Sequence, residues 1–416
     1  MSLGQTTSSA IPLFFDGTFG LSTRRLTSRN YSCFHLSRSR CYHEGSMNVL
    51  IATGLYPPEI GGPATYTVLL EDRLPQRGIN ITTIPFGWVR HYPKGIRHVI
   101  YAYKLWQESK HVDAIYALDS ISVGIPSLIV SRLRRKPFLI RLGGDYAWEQ
   151  GRMRFGLTET LDEYLTKKTP RPLQVKFLAA FQAFVVKRAL RVVAPSQYLK
   201  SVIEQWGVPA ERIAVIHSAL YPLSVEATRE ELREQFAFTS PTLVSAGRLV
   251  PWKGFSALMR VVATLKSVYP DITLVIVGDG EEGEKLSAEA KVLGIEHSVR
   301  FVGRLSKEAL GATIKAADVF VLNTAYEGLS HQLIEVMDLG TPIVTTTAGG
   351  NTELITDTVN GFLVQFNDEA ALTDAIRRVV DYPETRSRII QSARARSKDF
   401  SESAMITEID ALLKSL

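Results

Sequence analysis

The chain has 416 residues, 45% hydrophobic and 22% charged, a globular composition with length for two or three domains, each with its own core. Its net charge of +6 suits a basic patch for phosphates or an anionic membrane surface but does not call for nucleic acid, and no zinc-finger spacing or RNA-binding signature is present. Both cysteines, Cys33 and Cys41, precede residue 47, so the body from Met47 onward is built without disulfides or thiolate metal sites. The best apolar run, Ile121 to Val130, is too short for a membrane span and leads into Arg132-Leu-Arg-Arg-Lys136; a cytoplasmic protein is expected.

Residues 1–46 are rich in Ser, Thr and Arg, lack Lys and have almost no acids. Leu21-Ser-Thr-Arg-Arg-Leu-Thr-Ser-Arg29 has the character of an organelle transit peptide. A start codon assigned too early explains the abrupt change more simply, because Met47-Asn-Val-Leu-Ile-Ala-Thr53 reads as a natural first strand. The segment is expected to be a disordered leader.

From Met47 strands and helices alternate. Strands are expected at Val49–Ala52, Ile79–Phe86, Ala114–Leu118, Phe138–Leu142, Arg191–Ala194 and Ile213–His217, with a first helix from about Ala64 to Arg77. The pattern implies a Rossmann-like domain over 47–217, a parallel sheet covered on both faces. The loop after the first strand holds Gly61-Gly62. These glycines either let backbone approach a phosphate or acceptor, or form a turn. Without a Gly-x-Gly-x-x-Gly fingerprint a nicotinamide dehydrogenase is disfavoured. Asp145, Trp148 and Glu149 follow the Phe138–Leu142 strand, where ligand crevices form; the competing reading has Trp148 in the core and the acids capping a helix. After the basic stretch Lys167 to Arg171, Leu173 to Leu190 is a helix with Phe177, Phe181 and Phe184 at helical spacing, a stripe that fits core packing or a membrane surface.

The alternation breaks over a linker, 218–241, and resumes over 242–396. Strands are expected at Leu243–Ala246, Ile272–Val277, Val299–Val302, Val319–Leu322 and Ile343–Thr345. A last helix, within 397–416, is expected to return to the first domain. Four of these strand ends carry suggestive residues. Gly247-Arg-Leu-Val-Pro-Trp-Lys-Gly254 brings two cations, Arg248 as a donor fork and Lys253 as a point charge. Gly278-Asp-Gly280 permits close backbone approach, and Gly303-Arg304 follows the third strand. Tyr326-Glu-Gly-Leu-Ser-His-Gln-Leu-Ile-Glu335 turns from strand into helix. There Glu327 and Glu335 suit hydroxyls, and the amides of Gly328, Leu329 and Ser330 suit anionic oxygens at a helix N-terminus. Together they fit a molecule with both hydroxyls and phosphate, such as a nucleotide sugar.

In this order the Gly-Arg-Leu…Lys-Gly, Gly-Asp-Gly and Glu-x7-Glu segments resemble the donor half of retaining glycosyltransferases of family 4. The resemblance covers nearly all of residues 47–416. It implies an α/β GT-B fold, two Rossmann-like domains facing across a cleft, and a hexosyltransferase of polysaccharide biosynthesis. The donor would be a nucleotide-diphosphate sugar of unspecified base; the acceptor would be a glycan, a lipid-linked saccharide or a small polyol, some at an anionic membrane surface. By the same resemblance Arg248 and Lys253 hold the diphosphate and Glu327 the donor sugar, aided by amides of Gly328, Leu329 and Ser330. Glu335 binds the ribose, the Gly303-Arg304 turn lies against the base, Gly247 and Gly278 line the donor site, and Gly61-Gly62 reaches in from the first domain. No cofactor or metal is expected: the cations and helix N-termini take the role of Mg²⁺, and no Asp-x-Asp triplet is present. Two departures stand out. The family's usual histidine is replaced by Arg141-Leu-Gly-Gly-Asp145, which makes Asp145 the candidate for part of its role unless the chemistry does without it, and Ser218-Ala219 replaces the usual Asn-Gly hinge. The alternatives are a nucleotide-sugar 2-epimerase of the same design and a non-catalytic sugar-nucleotide-binding partner of another transferase.

Overall fold

The strand segments are apolar on both faces and do not alternate, a pattern that belongs to parallel sheets covered by helices on each side. The computed structural model describes residues 46–416 except 60, 168, 239 and 240; the leader expected over 1–46 lies, Ser46 apart, outside the described residues. The first half runs β1 (Met47–Thr53), α1 (Gly62–Arg73), β2 (Ile79–Pro85), α2 (Ile96–Glu108), β3 (Ala114–Ala117), α3 (Gly124–Arg134), β4 (Phe138–Arg141), α4 (Tyr146–Arg154), α5 (Leu161–Thr166), α6 (Leu173–Val186), β5 (Arg191–Ala194), α7 (Gln197–Gln205) and β6 (Ile213–Val215). The second runs α8 (Arg229–Gln235), β7 (Thr242–Ala246), α9 (Phe255–Leu265), β8 (Thr273–Val277), α10 (Gly283–Val292), β9 (Val299–Gly303), α11 (Lys307–Ala316), β10 (Val319–Leu322), α12 (His331–Leu339), β11 (Ile343–Thr346), α13 (Asn351–Leu354) and β12 (Phe362–Val364). Helices α14 (Glu369–Asp381), α15 (Pro383–Ser397) and α16 (Glu402–Lys414) complete the chain.

Both sheets are parallel throughout, in the orders β2-β1-β3-β4-β5-β6 and β12-β11-β10-β7-β8-β9. In each, the order reverses beside the first strand, between β1 and β3 and between β7 and β10. Open parallel sheets form their ligand crevice outside the carboxyl ends of the strands at such a reversal.

Several boundaries differ from expectation for local reasons. Helix α1 stops at Arg73, before Pro75, which has no N–H to continue it. Helix α12 begins at His331 because Ser330 is its N-cap, accepting from Leu333 N at 3.4 Å; Gly340, at φ 80°, ends it. Strand β12, three residues long, was not anticipated. The linker contains α8, which belongs to the second half. The 4%-exposed Asp318 accepts from Arg229 at 2.5 Å and Arg233 at 2.9 Å, both on α8, and from Thr242 N at 2.8 Å. A buried carboxylate needs such partners.

Helix α16 returns to the first half. Its Met405, Ile406, Ile409 and Leu413 join Val49, Ile51, Tyr66 and Leu70 in one core. The two chain crossings run side by side, tied by Leu220 N donating to Phe400 O at 2.7 Å. A second seam is aromatic. Trp148 meets Trp252 at 5.6 Å between centroids and Tyr326 edge-on at 5.0 Å, so the core of the first half extends into residues of the second.

Candidate active site

Because β7 and β10 are neighbours, the loops that leave them lie together. Three contacts pin one to the other: Asn323 Nδ2 to Gly254 O at 2.9 Å, Ala325 N to Trp252 O at 2.8 Å, and Thr324 Oγ1 to Trp252 O at 3.2 Å. In this frame Lys253 Nζ donates to Glu327 Oε1, both side chains mostly buried at 17% and 16% exposure. Arg248 is exposed, its guanidinium 5.5 Å from the centroid of the Trp252 ring. The structure therefore brings together the two cations and the loop glutamate that the sequence singled out.

The glycines of the site serve close approach. A Cβ on Gly278 would overlap the Gly247 carbonyl, so these two strand ends meet backbone to backbone, and a Cβ on Gly328 would overlap the Gly143 carbonyl of the first half. Ser196 Oγ also donates to Gly328 O, at 2.5 Å. The helix start differs from expectation. With Ser330 as N-cap and Leu333 N bonded to it, the amides of His331 and Gln332 join that of Ser330 at the head of α12, while Gly328 and Leu329 lie in the loop before it. Leu329 and Ser330 are buried.

Asp145, the candidate for part of the histidine's role, caps α4, as the competing reading of these acids had it. It is 1% exposed, and its Oδ1 accepts from Trp148 N at 2.9 Å and from Gln182 Nε2 at 3.1 Å. Trp148 is core. Glu149, one position further along α4, lies in the field of Arg248 and Lys253. Burial pushes it up to about 7, opposed by the positive charge of Arg248; Asp145 and Glu327 push the same way as burial. A Cβ on Gly144 would lie 2.7 Å from both Glu149 Oε1 and the Tyr326 hydroxyl. That hydroxyl accepts from Asp145 N at 3.2 Å.

Beside this cluster is a cavity of about 170 Å³ between the halves, lined among others by Gly62, Leu118, Arg141, Gly143, Leu329 and His331. Sequence reading gave no role to Arg141 or His331. Arg141 ends β4 and is 6% exposed; it donates to Ser218 Oγ at 3.0 Å and lies 4.2 Å over the Tyr66 ring. Among the described residues no carboxylate pairs with it, and its Nε has no hydrogen-bond partner. His331 stacks on Tyr221 at 6.1 Å and stands 3.6 Å from the Cβ position of Gly62. Burial, helped by Arg141 and Lys307, pushes it down to about 3, so it is neutral. The N-terminus of α1, capped by Gly61 without a side-chain bond, points at the same cavity through Gly62 and Pro63. A buried cation and two helix N-termini make a setting for anionic oxygens. The only advance sign of His331 was its place within the Glu-x7-Glu stretch.

The remaining residues lie further out. Glu335, one turn along α12, is half-buried; burial pushes it up to about 7, opposed by Lys307. Arg304, after Gly303, is exposed and pairs with Asp279 at 2.7 Å. Gly349-Gly350, after β11, was overlooked; it supports the Glu327 loop from below, with Gly350 N donating to Glu327 O at 2.9 Å.

Two Rossmann-like halves meeting at their strand carboxyl ends, with the chain returning to the first at its end, define the GT-B class. The family model described as Glycosyltransferase Family 4 matches residues 55–220, and that described as Glycosyl transferases group 1 matches 228–396. Together they take in well over half of the chain, which belongs to the glycosyltransferases these two models define. The chain is 34% identical over 152 residues to the lipopolysaccharide core biosynthesis glycosyltransferase LpsE of Rhizobium meliloti, 36% of this chain and 43% of that protein. It is 28% identical over 243 residues to the D-inositol 3-phosphate glycosyltransferase of Corynebacterium efficiens, 56% and 57% of the two chains. The matches thus span about half the length of these curated relatives. Anabaena HepE in complex with UDP-glucose shares the fold at a TM-score of 0.71, with 22% identity, 89% of this chain and all of that one covered. Among the described residues no helix is long and apolar enough to cross a membrane.

Proposed function

We propose that the chain moves a hexose from a nucleotide-diphosphate sugar to a hydroxyl of a glycan, lipid-linked or small polyol acceptor, with retention and without a metal. The observation that carries this reading is the Lys253–Glu327 pair with Arg248 at the reversal of the second sheet, opposite Arg141 and the head of α1. Lys253 and Arg248 supply positive charge where a diphosphate gains negative charge on leaving, the role that preorganised donors play in transition states. Glu327 accepts from sugar hydroxyls, Glu335 from the ribose, and the Gly303-Arg304 turn borders the base. Glu149 takes the place first expected for Asp145: near neutral pH a carboxyl held at about 7 both donates to and accepts from hydroxyls. In the transfer, the bond between the anomeric carbon and the diphosphate oxygen breaks, its electron pair leaving with the diphosphate. The acceptor oxygen bonds to the same carbon on the same face, and the departing phosphate oxygen takes the acceptor's proton.

The test is a thermal-shift series on the full chain with UDP, GDP and ADP and their hexose conjugates, beside Glu327→Ala. Stabilisation by one base family, larger with the sugar and reduced to the nucleotide's own shift in the variant, supports the reading. No shift with any nucleotide overturns it. Product analysis without acceptor then separates transfer from epimerisation, since only an epimerase yields the sugar inverted at C2, whereas transfer to water leaves that centre unchanged.

A further inference from the structure

The outer face of the first half joins an exposed aromatic stripe to a cluster of cations. On α6, Phe177, Phe181 and Phe184 are 63%, 52% and 48% exposed, while Val175, Val185 and Val186 on the same helix are buried in the core. Helix α3, packed into the same core, leaves Ile129 and Leu133 at 50% and 65% exposure. Where the C-terminal ends of α3 and α6 converge on the start of β4 lies an open cavity of about 660 Å³. Its lining includes Arg132, Arg135, Lys136, Arg188 and Arg212 and no carboxylate. Arg188 lies 3.6 Å from the centroid of the Phe184 ring, so stripe and cations form one surface. The sequence has no Asp or Glu between Asp119 and Asp145, nor between Glu163 and Glu204.

Cations near a helix C-terminus are favoured by its dipole, which accounts for part of the cluster. It does not account for exposed phenylalanines beside them, since monomeric proteins rarely leave contiguous apolar patches without a partner. Apolar rings flanked by Lys and Arg suit one environment well: the boundary of a bilayer with anionic headgroups, where rings enter the acyl region and cations remain at the phosphates. Pairing with a second copy through this face would set cation against cation. The cavity sits at the amino ends of the strands, the end of the sheet opposite the active-site cleft, so occupation of this face leaves the cleft accessible.

We propose that the α3–α6 face docks the protein on an anionic lipid surface, with Phe177, Phe181 and Phe184 in the interface and the five cations on headgroups. The proposal stands independently of the transfer reaction. Its test is flotation of the full chain with vesicles of phosphatidylcholine alone or mixed with phosphatidylglycerol. Binding is expected to the mixed vesicles only, weakening as salt rises. Replacing Arg135, Lys136 and Arg188 together by Gln is expected to weaken it on the order of a hundredfold, at about fivefold per cation. Phe177→Ser with Phe181→Ser is expected to abolish the part that survives high salt. All variants should keep a melting temperature close to that of wild type, because the replaced side chains are exposed, apart from the half-buried Lys136. Absence of binding to mixed vesicles overturns the proposal, as does equal binding by the variants. A wild-type dimer that Phe177→Ser dissolves would instead assign the face to a second copy and also overturn it.

Discussion

Lys253→Ala is the substitution that probes the proposed chemistry most directly. The ammonium is mostly buried and held against Glu327 by loops that three backbone-anchored contacts pin together. A unit charge about 4 Å from a developing phosphate charge is worth about 4 kcal/mol at an effective dielectric near 20, or roughly a thousandfold in rate. Arg248, the second cation, is more exposed and more screened, so it recovers only part of this. The expected loss is about 10²–10³-fold in kcat, the scale for removing one preorganised donor. The loss of Lys253 also leaves Glu327 partly buried without its partner, which lowers stability. The double variant Lys253→Ala, Glu327→Gln should recover that stability without recovering the rate. The assay is single-turnover transfer from the donor found by thermal shift, with melting curves for each variant. Wild-type turnover in Lys253→Ala would remove the residue from the site, and full rate recovery in the double variant would show that the pair is structural only.

Three further outcomes follow from the geometry. Glu149 is held up at about 7 against an ordinary 4.5, so its favourable contribution is complete below 4.5 and is lost as pH rises through 7. Relative to wild type, the melting temperature of Glu149→Gln should therefore climb from about pH 4.5 to 7.5; a constant difference would place Glu149 in water. Gly144→Ala puts a Cβ 2.7 Å from Glu149 Oε1 and the Tyr326 hydroxyl. It should cost about 1–3 kcal/mol by chemical denaturation, and less in a Glu149→Ala background, where only the Tyr326 contact remains; equal costs in both backgrounds would place the whole clash on Tyr326. Deleting residues 402–416 uncovers the seats of Met405, Ile406, Ile409 and Leu413, none more than 3% exposed. At about 1.5–3 kcal/mol per side chain the loss approaches the whole stability of a domain, and the truncated chain should fail to fold. A cooperative melt near that of wild type would refute this.

The parallel strands were legible because buried parallel strands are short apolar runs, and Arg191–Ala194 and Val319–Leu322 fell where the sequence placed them. Strand β12 escaped because three edge residues carry too little pattern. Lys253 and Glu327 were legible because both follow buried-strand runs, and loops at strand carboxyl ends line the crevice of a parallel sheet; that their two strands are neighbours at the reversal shows only in the fold. Asp145 and Glu149 could not be told apart in advance. Both begin the same helix, and which carboxylate caps it and which lies in the field of the cations depends on Gln182 and Arg248, far away in sequence. Arg141 looked like one more strand residue; its isolation from carboxylates shows only once Ser218 and Tyr66 are folded around it.

The return of α16 has a consequence in time as well as space. The sheet of the first half is fully synthesised once β6 has been made, yet the helix that covers one of its faces is the last element of the chain. At about 5–20 residues per second, the roughly 200 residues between them take about 10–40 s to make. Throughout that interval Val49, Ile51, Tyr66 and Leu70 lack part of their cover, so the nascent first half keeps apolar surface exposed until α16 is made.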